Sequence, residues 1–279
     1  MRVVSYNLNG IRAAIRKGFV DWLAEHKPDF VGIQETKAWP EQVDMADIEA
    51  LGYHANWHSA TSKKGYSGVL SLSLQKPDEV VIGCGIEDYD REGRIIRTDF
   101  GDLSIFNCYF PSGTTGDVRQ AFKMEFLADF ESFILDFRRW SASTGGATSR
   151  VLSDGKQAGS APPRQLIVLG DYNIAHTPID IHDPVRNKKT SGFLPEERAW
   201  LDKWYGELAF TDAFRQVHPE KVEYSWWSMR GQARANNKGW RIDHVAVTEG
   251  LADKITDVNH YRDDQHSDHC AVVVDMDMK

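Results

Sequence analysis

Residues 165–173 read QLIVLGDYN. The apolar run Leu166–Leu169 is too short for a helix and reads as a strand buried on both faces. It gives way abruptly to Gly170, Asp171 and Asn173, and Gly-Asp at 170–171 is by itself an ordinary turn signal. The same placement recurs along the chain. Asn7 and Asn9 follow RVVSY, Glu35 follows DFVGIQ, and Tyr109 ends LSIFNCY. Asp243 sits in WRIDHV, and Asp268 and His269 precede CAVVVDM. Singly, each reads as a turn or a cap. Together, so many polar groups at the ends of apolar strands would make a costly core unless they met and satisfied one another. Strand ends are also where a rigid scaffold aims functional groups into one crevice.

Between these points, strand and helix patterns alternate. GFVDWLAEH reads as a helix begun after Gly18, and EQVDMADIEALG as a helix stopped at Gly52. GVLSLSL has the period-two alternation of a strand; EVVIG and RIIRTDF are further strands. DVRQAFKMEFLADFESFILDFRRW is the longest helix, and LPEERAWLDKWYG is a helix with Pro195 near its start. VEYSWW, RIDHVAV and CAVVVDM read as strands closing the chain. Several strands follow each other without a helix, which argues for mixed sheets covered by helices rather than a doubly wound parallel sheet. Residues 141–164 are rich in Ser, Gly, Ala and Pro and read as a surface loop inserted into one domain spanning 1–279. The rival reading is a DNA-contacting arm using Arg150, Lys156 and Arg164.

The 279 residues are enough for a substantial core, and no apolar run approaches the roughly 20 residues of a membrane span. The N-terminus reads as a strand rather than a signal peptide, so a cytoplasmic protein is expected. Three widely spaced cysteines, Cys84, Cys108 and Cys270, indicate neither a disulfide framework nor a cysteine-based zinc site. The net charge of −8 argues against indiscriminate coating of nucleic acid. Basic residues nevertheless bunch at Lys63-Lys64, Arg91/Arg94/Arg97, Arg186-Lys188-Lys189 and Arg230/Arg234/Lys238/Arg241. Each cluster alone reads as a solvated loop; as a set they are candidates for one basic face.

The strand-end residues suit phosphoester hydrolysis. Mg²⁺ takes hard oxygen ligands and keeps several waters, so one or two carboxylates suffice, and Glu35 fits that role. Asp243 and His269 suit an imidazole oriented or charged by a carboxylate. Asp171 can orient or deprotonate an attacking water. Asn173 and Tyr109 can donate to a phosphate whose negative charge is growing. No phosphate-binding glycine loop, HExxH or nucleophile elbow is present.

The blocks YNLNGIRA, GIQETK, YFPSG, GDYNIAH, NKKTSGFLPEER, YSWW, GWRIDHV and HSDHCAV, in that order, resemble the exonuclease III / AP endonuclease family of DNA repair enzymes. The resemblance implies a four-layered α/β sandwich: two packed mixed β-sheets flanked by helices. It also implies a monomeric enzyme that uses Mg²⁺, or Mn²⁺ in its place, to cut duplex DNA 5′ to abasic sites. 3′→5′ exonuclease and 3′-phosphatase activities belong to the same expectation, with blocked 3′ ends as substrates. By motif, Glu35 resembles the main metal ligand, with Asn7 and Asn9 beside it and Asp268 tied to metal binding. Asp171 resembles the water-activating residue. Asn173 and Tyr109 resemble phosphate ligands, and His269 the imidazole that contacts the phosphate, oriented by Asp243. Arg12, Lys37 and Asn187 match backbone contacts; Trp226, Trp240 and Ile242 match the apolar pocket for the abasic sugar, while Trp227 reads as core. The alternatives are another phosphoesterase of the same superfamily (a general endonuclease, a sphingomyelinase or an inositol-polyphosphate phosphatase) and a non-catalytic DNA-binding relative.

Overall fold

The computed structural model describes residues 1–144 and 164–279. Two six-stranded sheets form its centre. With strands numbered in chain order, the first sheet runs β13 (Ile255–Tyr261), β14 (Ala271–Met276), β1 (Arg2–Asn7), β2 (Phe30–Gln34), β4 (Val69–Ser73), β3 (His54–His58). The second runs β5 (Glu79–Ile82), β6 (Ile95–Phe100), β7 (Leu103–Tyr109), β8 (Gln165–Asp171), β12 (Asp243–Thr248), β9 (Phe210–Asp212). A small ribbon pairs β10 (Trp226–Trp227) with β11 (Gly239–Trp240). Each large sheet holds one parallel pair, β1–β2 and β7–β8, among antiparallel neighbours.

The continuous apolar runs of the central strands follow from burial on both faces. Val3, Phe30, Ile105, Ile167, Leu169, Val245 and Val272 meet between the sheets. Their strand neighbours Val4 and Val31 pack outward on Phe19, Trp22 and Leu23, from the helix Phe19–His26. Phe106, Leu166 and Val168 pack outward on Phe126, Phe130, Trp200 and Leu201, from the helices Asp117–Thr144 and Pro195–Tyr205. Successive side chains of a strand point to opposite faces, so one sequence run feeds two cores. The result is the expected sandwich of helix, sheet, sheet and helix. Among the described residues, no helix is long and apolar enough to cross a membrane.

Topology places the site. The two parallel pairs end at the same edge, with Asn7 level with Gln34 and Tyr109 level with Asp171. Antiparallel β12 begins there, with Asp243 opposite Asp171. Gly170 is no turn residue, contrary to the simplest reading of Gly-Asp: β8 continues through Asp171. At φ +153° its α-carbon lies so close to β7 that a β-carbon would sit 1.8 Å from the Cys108 carbonyl oxygen.

Other expectations need correction. In 41–52 only Ala46–Ala50 is α-helical, because Val43 is extended and interrupts the pattern. Only Trp226–Trp227 of VEYSWW is a strand. The long helix runs on through Thr144, so the segment expected to be a loop from 141 begins as helix. Residues 145–163, including Arg150 and Lys156, lie outside the described residues. Arg164 is buried, donating to Ser104 Oγ at 2.8 Å and the Leu103 carbonyl at 3.2 Å, so it is unavailable as an exposed phosphate contact. The sequence reading passed over β3, β9 and β13, edge strands paired on one side only that need no continuous apolar run.

A buried ionic knot holds the second sheet near this edge. Arg241 donates to Asp180 Oδ1 at 2.7 Å and to Asp212 Oδ2 at 2.7 Å, and Arg215 also reaches Asp180. Burial pushes both carboxyls up, but the Arg241 guanidinium outweighs it and holds them well below the usual carboxylate range. An unfolded chain takes up protons on these groups near pH 4, whereas the folded chain resists until lower pH. Their contribution is therefore complete above that range and is lost on acidification. Arg241→Met, which strands two buried carboxylates, is expected to lose roughly 3–5 kcal/mol in urea denaturation at neutral pH. It should also lose less further stability than the parent on acidification. An unchanged urea midpoint would contradict the assignment.

Candidate active site

The backbone around the strand ends is strained. Asn9, Glu35, Lys37 and Asn173 are left-handed, with φ of 48°, 52°, 50° and 53°. Such a conformation costs roughly 1–2 kcal/mol for a residue with a β-carbon, least for Asn. It persists because neighbouring bonds over-determine it. Gly10 N donates to the Glu35 carbonyl at 2.8 Å, Thr36 N to the Gly68 carbonyl at 3.0 Å, and Lys37 N to the Ser67 carbonyl at 2.9 Å.

These turns aim the side chains at one another. Asn7 Nδ2 donates to Glu35 Oε1 and to Asp171 Oδ2, both at 2.9 Å, joining a carboxylate of each sheet. Lys37 Nζ lies 2.7 Å from Glu35 Oε2 and also donates to Asn9 Oδ1. Asn9 Nδ2 donates to Asp268 Oδ1 at 2.8 Å, and Trp226 Nε1 to Asp268 Oδ2 at 3.1 Å. Asn173 N donates to Asp171 Oδ1 at 2.8 Å. His269 Nδ1 lies 2.9 Å from Asp243 Oδ2, and its Nε2 lies 3.9 Å from Asp171 Oδ2. Ser225 Oγ donates to Asp243 Oδ2 at 2.6 Å.

Charge crowding shows in the titration behaviour. Asp171 is raised well above the carboxylate range by burial, then by Asp243 and Glu35, with His269 opposing. Burial and the charges of Glu35 and Asp171 push the Tyr109 phenol well above its ordinary value, so it is a donor. Burial alone would lower His269, but Asp243, then Asp171 and Asp268, hold it up at about 10, so it is an imidazolium. Glu35 and Asp268 are pushed up by burial but held low overall, chiefly by Lys37 and His269 respectively.

Ligand atoms of Glu35, Asp171 and His269 lie within 4.8 Å of one another, close enough to hold a metal. As an imidazolium His269 has no lone pair to give, so the metal donors reduce to carboxylate and amide oxygens. The four carboxylates Glu35, Asp171, Asp243 and Asp268 face two cations, Lys37 and His269; with all of them ionised, 4 − 2 leaves two uncompensated negative charges. Hard oxygen donors with that excess fit a divalent cation.

The cluster floors a cavity of about 300 Å³. Glu35, Tyr109, Asp171, Asn173, Asp268 and His269 line it, together with the segment Thr190–Gly192 and an apolar wall of Trp226, Trp240 and Ile242. Trp226 and Trp240 meet edge to face at 6.1 Å. Gly192 abuts this wall: a β-carbon there would sit 2.9 Å from Trp240. Trp227 is buried core, as read.

Six of the sequence candidates lie outside the cavity lining. Asn7, Asn9 and Asp243 are bonded to residues that line it, Asp171, Asp268 and His269 respectively; the other three are Arg12, Asn187 and Lys37. Arg12 is exposed on the helix Ile11–Arg16. Asn187 spends its amide on the His182 and Asp183 carbonyls. Lys37 points inward on Glu35 and Asn9. The expected basic face is thinned as well. Arg94 is buried against Glu92 and the Tyr109 carbonyl, Arg97 pairs with Glu79, Arg234 serves loop carbonyls, and Arg241 is in the ionic knot. Lys63, Lys64, Arg91, Arg186, Lys188, Lys189, Arg230 and Lys238 remain exposed. Sequence reasoning assigned no role to Ser225, Ser112, Thr114, Thr190 or Ser191. Ser225 interrupts an aromatic run, and that was the available signal.

The endonuclease/exonuclease/phosphatase family matches residues 4–269 of this chain. An exodeoxyribonuclease from Bacillus subtilis (strain 168) is 36% identical over 274 residues, covering 98% of both chains. The DNA repair nuclease APEX1 of Danio rerio is 32% identical, over 98% of this chain and 81% of its own. Among solved structures, an AP endonuclease from Archaeoglobus fulgidus superposes with a TM-score of 0.83 at 27% identity, covering all of both chains. The chain belongs to the endonuclease/exonuclease/phosphatase family, in the branch of exodeoxyribonuclease III and the AP endonucleases. It is a hydrolytic nuclease.

The charge of His269 can be tested directly. Asp243→Asn removes the strongest support for the imidazolium, so the ring's titration, followed by NMR, should move down towards neutral pH. A titration unchanged from the parent would show that Asp243 does not set it.

Proposed function

We propose that this chain hydrolyses the phosphodiester on the 5′ side of an abasic site in duplex DNA, leaving a 3′-hydroxyl. The observation that carries this reading is the composition of one cavity: a carboxylate–imidazolium cluster faces an apolar wall of Trp226, Trp240 and Ile242. A sugar without a base has little to hydrogen-bond and little stacking to lose. A tight apolar wall admits it after flipping and excludes an intact nucleotide by size.

In this reading Asp171, raised towards the working pH, orients the attacking water and takes its proton. Asn7 and Asn173 hold its two oxygens in place. His269, kept charged by Asp243, donates from Nε2 to the phosphate, and the Tyr109 phenol and the Asn173 amide add donors where negative charge grows. Glu35, with Asp171 nearby, would hold Mg²⁺ or Mn²⁺; when bound, the ion supplies neutralisation of phosphate charge. Asn9 and Asp268 act by tethering, because their side-chain atoms are already bonded to one another, to Lys37 and to Trp226. The exposed lysines 63, 64, 188 and 189 are available to DNA phosphates.

A second activity has its own support. The cluster can take a terminal 3′-phosphate, which brings no base to the apolar wall, and a 3′ phosphatase from Neisseria bound to a DNA hairpin product superposes with a TM-score of 0.85 at 25% identity, over 99% of both chains.

The test is one labelled duplex set: abasic, undamaged, nicked with a 3′-phosphate, and recessed at the 3′ end, each with Mg²⁺ and with chelator. Cutting 5′ to the abasic site that requires Mg²⁺ is expected, with slower trimming of the other ends. Equal cutting of the undamaged duplex, or cutting in chelator, would sink the proposal. Asp171→Asn and His269→Ala should each lower kcat at least ~10²-fold, as for loss of a general base or a charge-stabilising donor.

A further inference from the structure

Lys123 and Glu197 are completely buried and form an ion pair at 2.6 Å, outside the cavity lining and with no part in the chemistry above. Two ions taken out of water are no bargain for stability: apolar residues of similar volume usually serve a fold as well. Burial lowers the Lys123 ammonium, so the surroundings do resist its charge. The remaining bonds of the pair show what it does.

They go to two adjoining segments of the cavity lining, the one at Asn173 and the one at Thr190–Gly192. Lys123 Nζ donates to the carbonyl of Asn173, one of the left-handed residues, at 2.9 Å. Glu197 Oε2 accepts from Gly192 N at 2.7 Å and Leu194 N at 2.9 Å, in the segment that backs Trp240. Gln120, one helical turn before Lys123, donates to Glu197 Oε1 at 3.1 Å and accepts from Ser191 Oγ at 2.7 Å. The two loops are joined at the cavity by Ala175 N donating to the Gly192 carbonyl at 2.8 Å. One buried pair, set on two outer helices, thus grips both the turn at Asn173 and the segment packed against it.

Resting on the abasic-site reading, we infer that Lys123 and Glu197 are positioning residues. They hold Asn173 against the adjoining segment Thr190–Gly192, and so set both the placement of Asn173 against the reacting phosphate and the discrimination between an abasic sugar and an intact nucleotide. Neither touches substrate. An ion pair suits this task because two charges in a dry interior tolerate little displacement, whereas apolar substitutes would let the two segments shift.

The experiment is steady-state cleavage of an abasic duplex and of the same duplex undamaged by Lys123→Met and Gln120→Leu, with thermal melting of each. Lys123→Met is expected to lower kcat about tenfold or more while KM changes less than about threefold, the mark of an interaction lost in the transition state and not in DNA binding. Gln120→Leu leaves the ion pair in place but frees Ser191. It should raise cutting of undamaged relative to abasic duplex at least about threefold, within the range by which a pocket's fit discriminates substrates, with melting unchanged. Wild-type kcat in Lys123→Met, a loss carried wholly by KM, or wild-type discrimination in Gln120→Leu would each overturn the inference. If Lys123→Met does not fold, the double variant Lys123→Met/Glu197→Met removes both charges without stranding either and is judged by the same results. Failure of the wild type to cut the abasic duplex would sink the proposed function instead. Positioning is then read from amide exchange at Gly192 and Leu194, faster in Lys123→Met if the inference holds and unchanged if it does not.

Discussion

A single amide group, Nδ2 of Asn7, donates to a carboxylate from each sheet, Glu35 and Asp171. The rest of the site depends on that shared bond. Two like charges would otherwise drive the sheet edges apart, and each of them would be a buried anion short of donors. Its geometry requires both parallel registers at once, Asn7 level with Gln34 in one sheet and Tyr109 level with Asp171 in the other. A slip of one residue in either would turn a catalytic side chain to the opposite face. The layer between the sheets guards against this. Gln34 Nε2 donates to Asn107 Oδ1 at 2.8 Å across a largely apolar layer, and Asn107 donates in turn to the Leu70 carbonyl at 3.0 Å. A polar contact in an apolar layer specifies register, because any shift leaves its partners unsatisfied.

The apolar wall is tied to the charged floor as tightly as the sheets are to each other. Trp226 donates to Asp268, bridges in backbone register to His269, and packs against Trp240. Ser225, the preceding residue, holds Asp243 and accepts from the backbone N–H groups of Ile242 and Asp243. The ribbon that carries the wall therefore also orients the carboxylate that charges His269. The wall and the imidazolium are thereby held side by side, with the Trp226 and His269 rings 6.4 Å apart. One element carries the apolar wall and supports the charged floor, an arrangement that fixes the orientation of one against the other.

The central strands and the cluster at their ends were legible in the sequence because both arise from burial. An interior strand needs an unbroken apolar run, and a polar group ending one must be satisfied by others like it. Asn7, Glu35, Tyr109, Asp171, Asn173, Asp243 and His269 all carried that mark. Edge strands need no such run, since half their surface is wet; β5 was read from its short run EVVIG, while β3, β9 and β13 went unread. Arginines misled for a related reason. A cluster such as Arg91/Arg94/Arg97 looks basic in one dimension, but Glu92 closes on Arg94 and Glu79 on Arg97 in three. Lys123 and Glu197 were invisible because they are 74 residues apart and sit on helix faces where charged residues are usual.

Position 9 shows how finely the charge is set. Asn9 donates to Asp268 through Nδ2 and accepts from Lys37 through Oδ1, so it uses both halves of its amide. An Asp there has no donor for Asp268 and would place two carboxylates in contact. It would also add a third uncompensated negative charge to the two already present, drawing Lys37 away from Glu35 or a second cation into the site. With Asn9 the ammonium of Lys37 stays at 2.7 Å from Glu35, and the uncompensated charge centres on Asp171, the most strongly raised carboxyl of the cluster. The amide at position 9 thereby keeps Lys37 on Glu35 and leaves the excess negative charge beside Asp171.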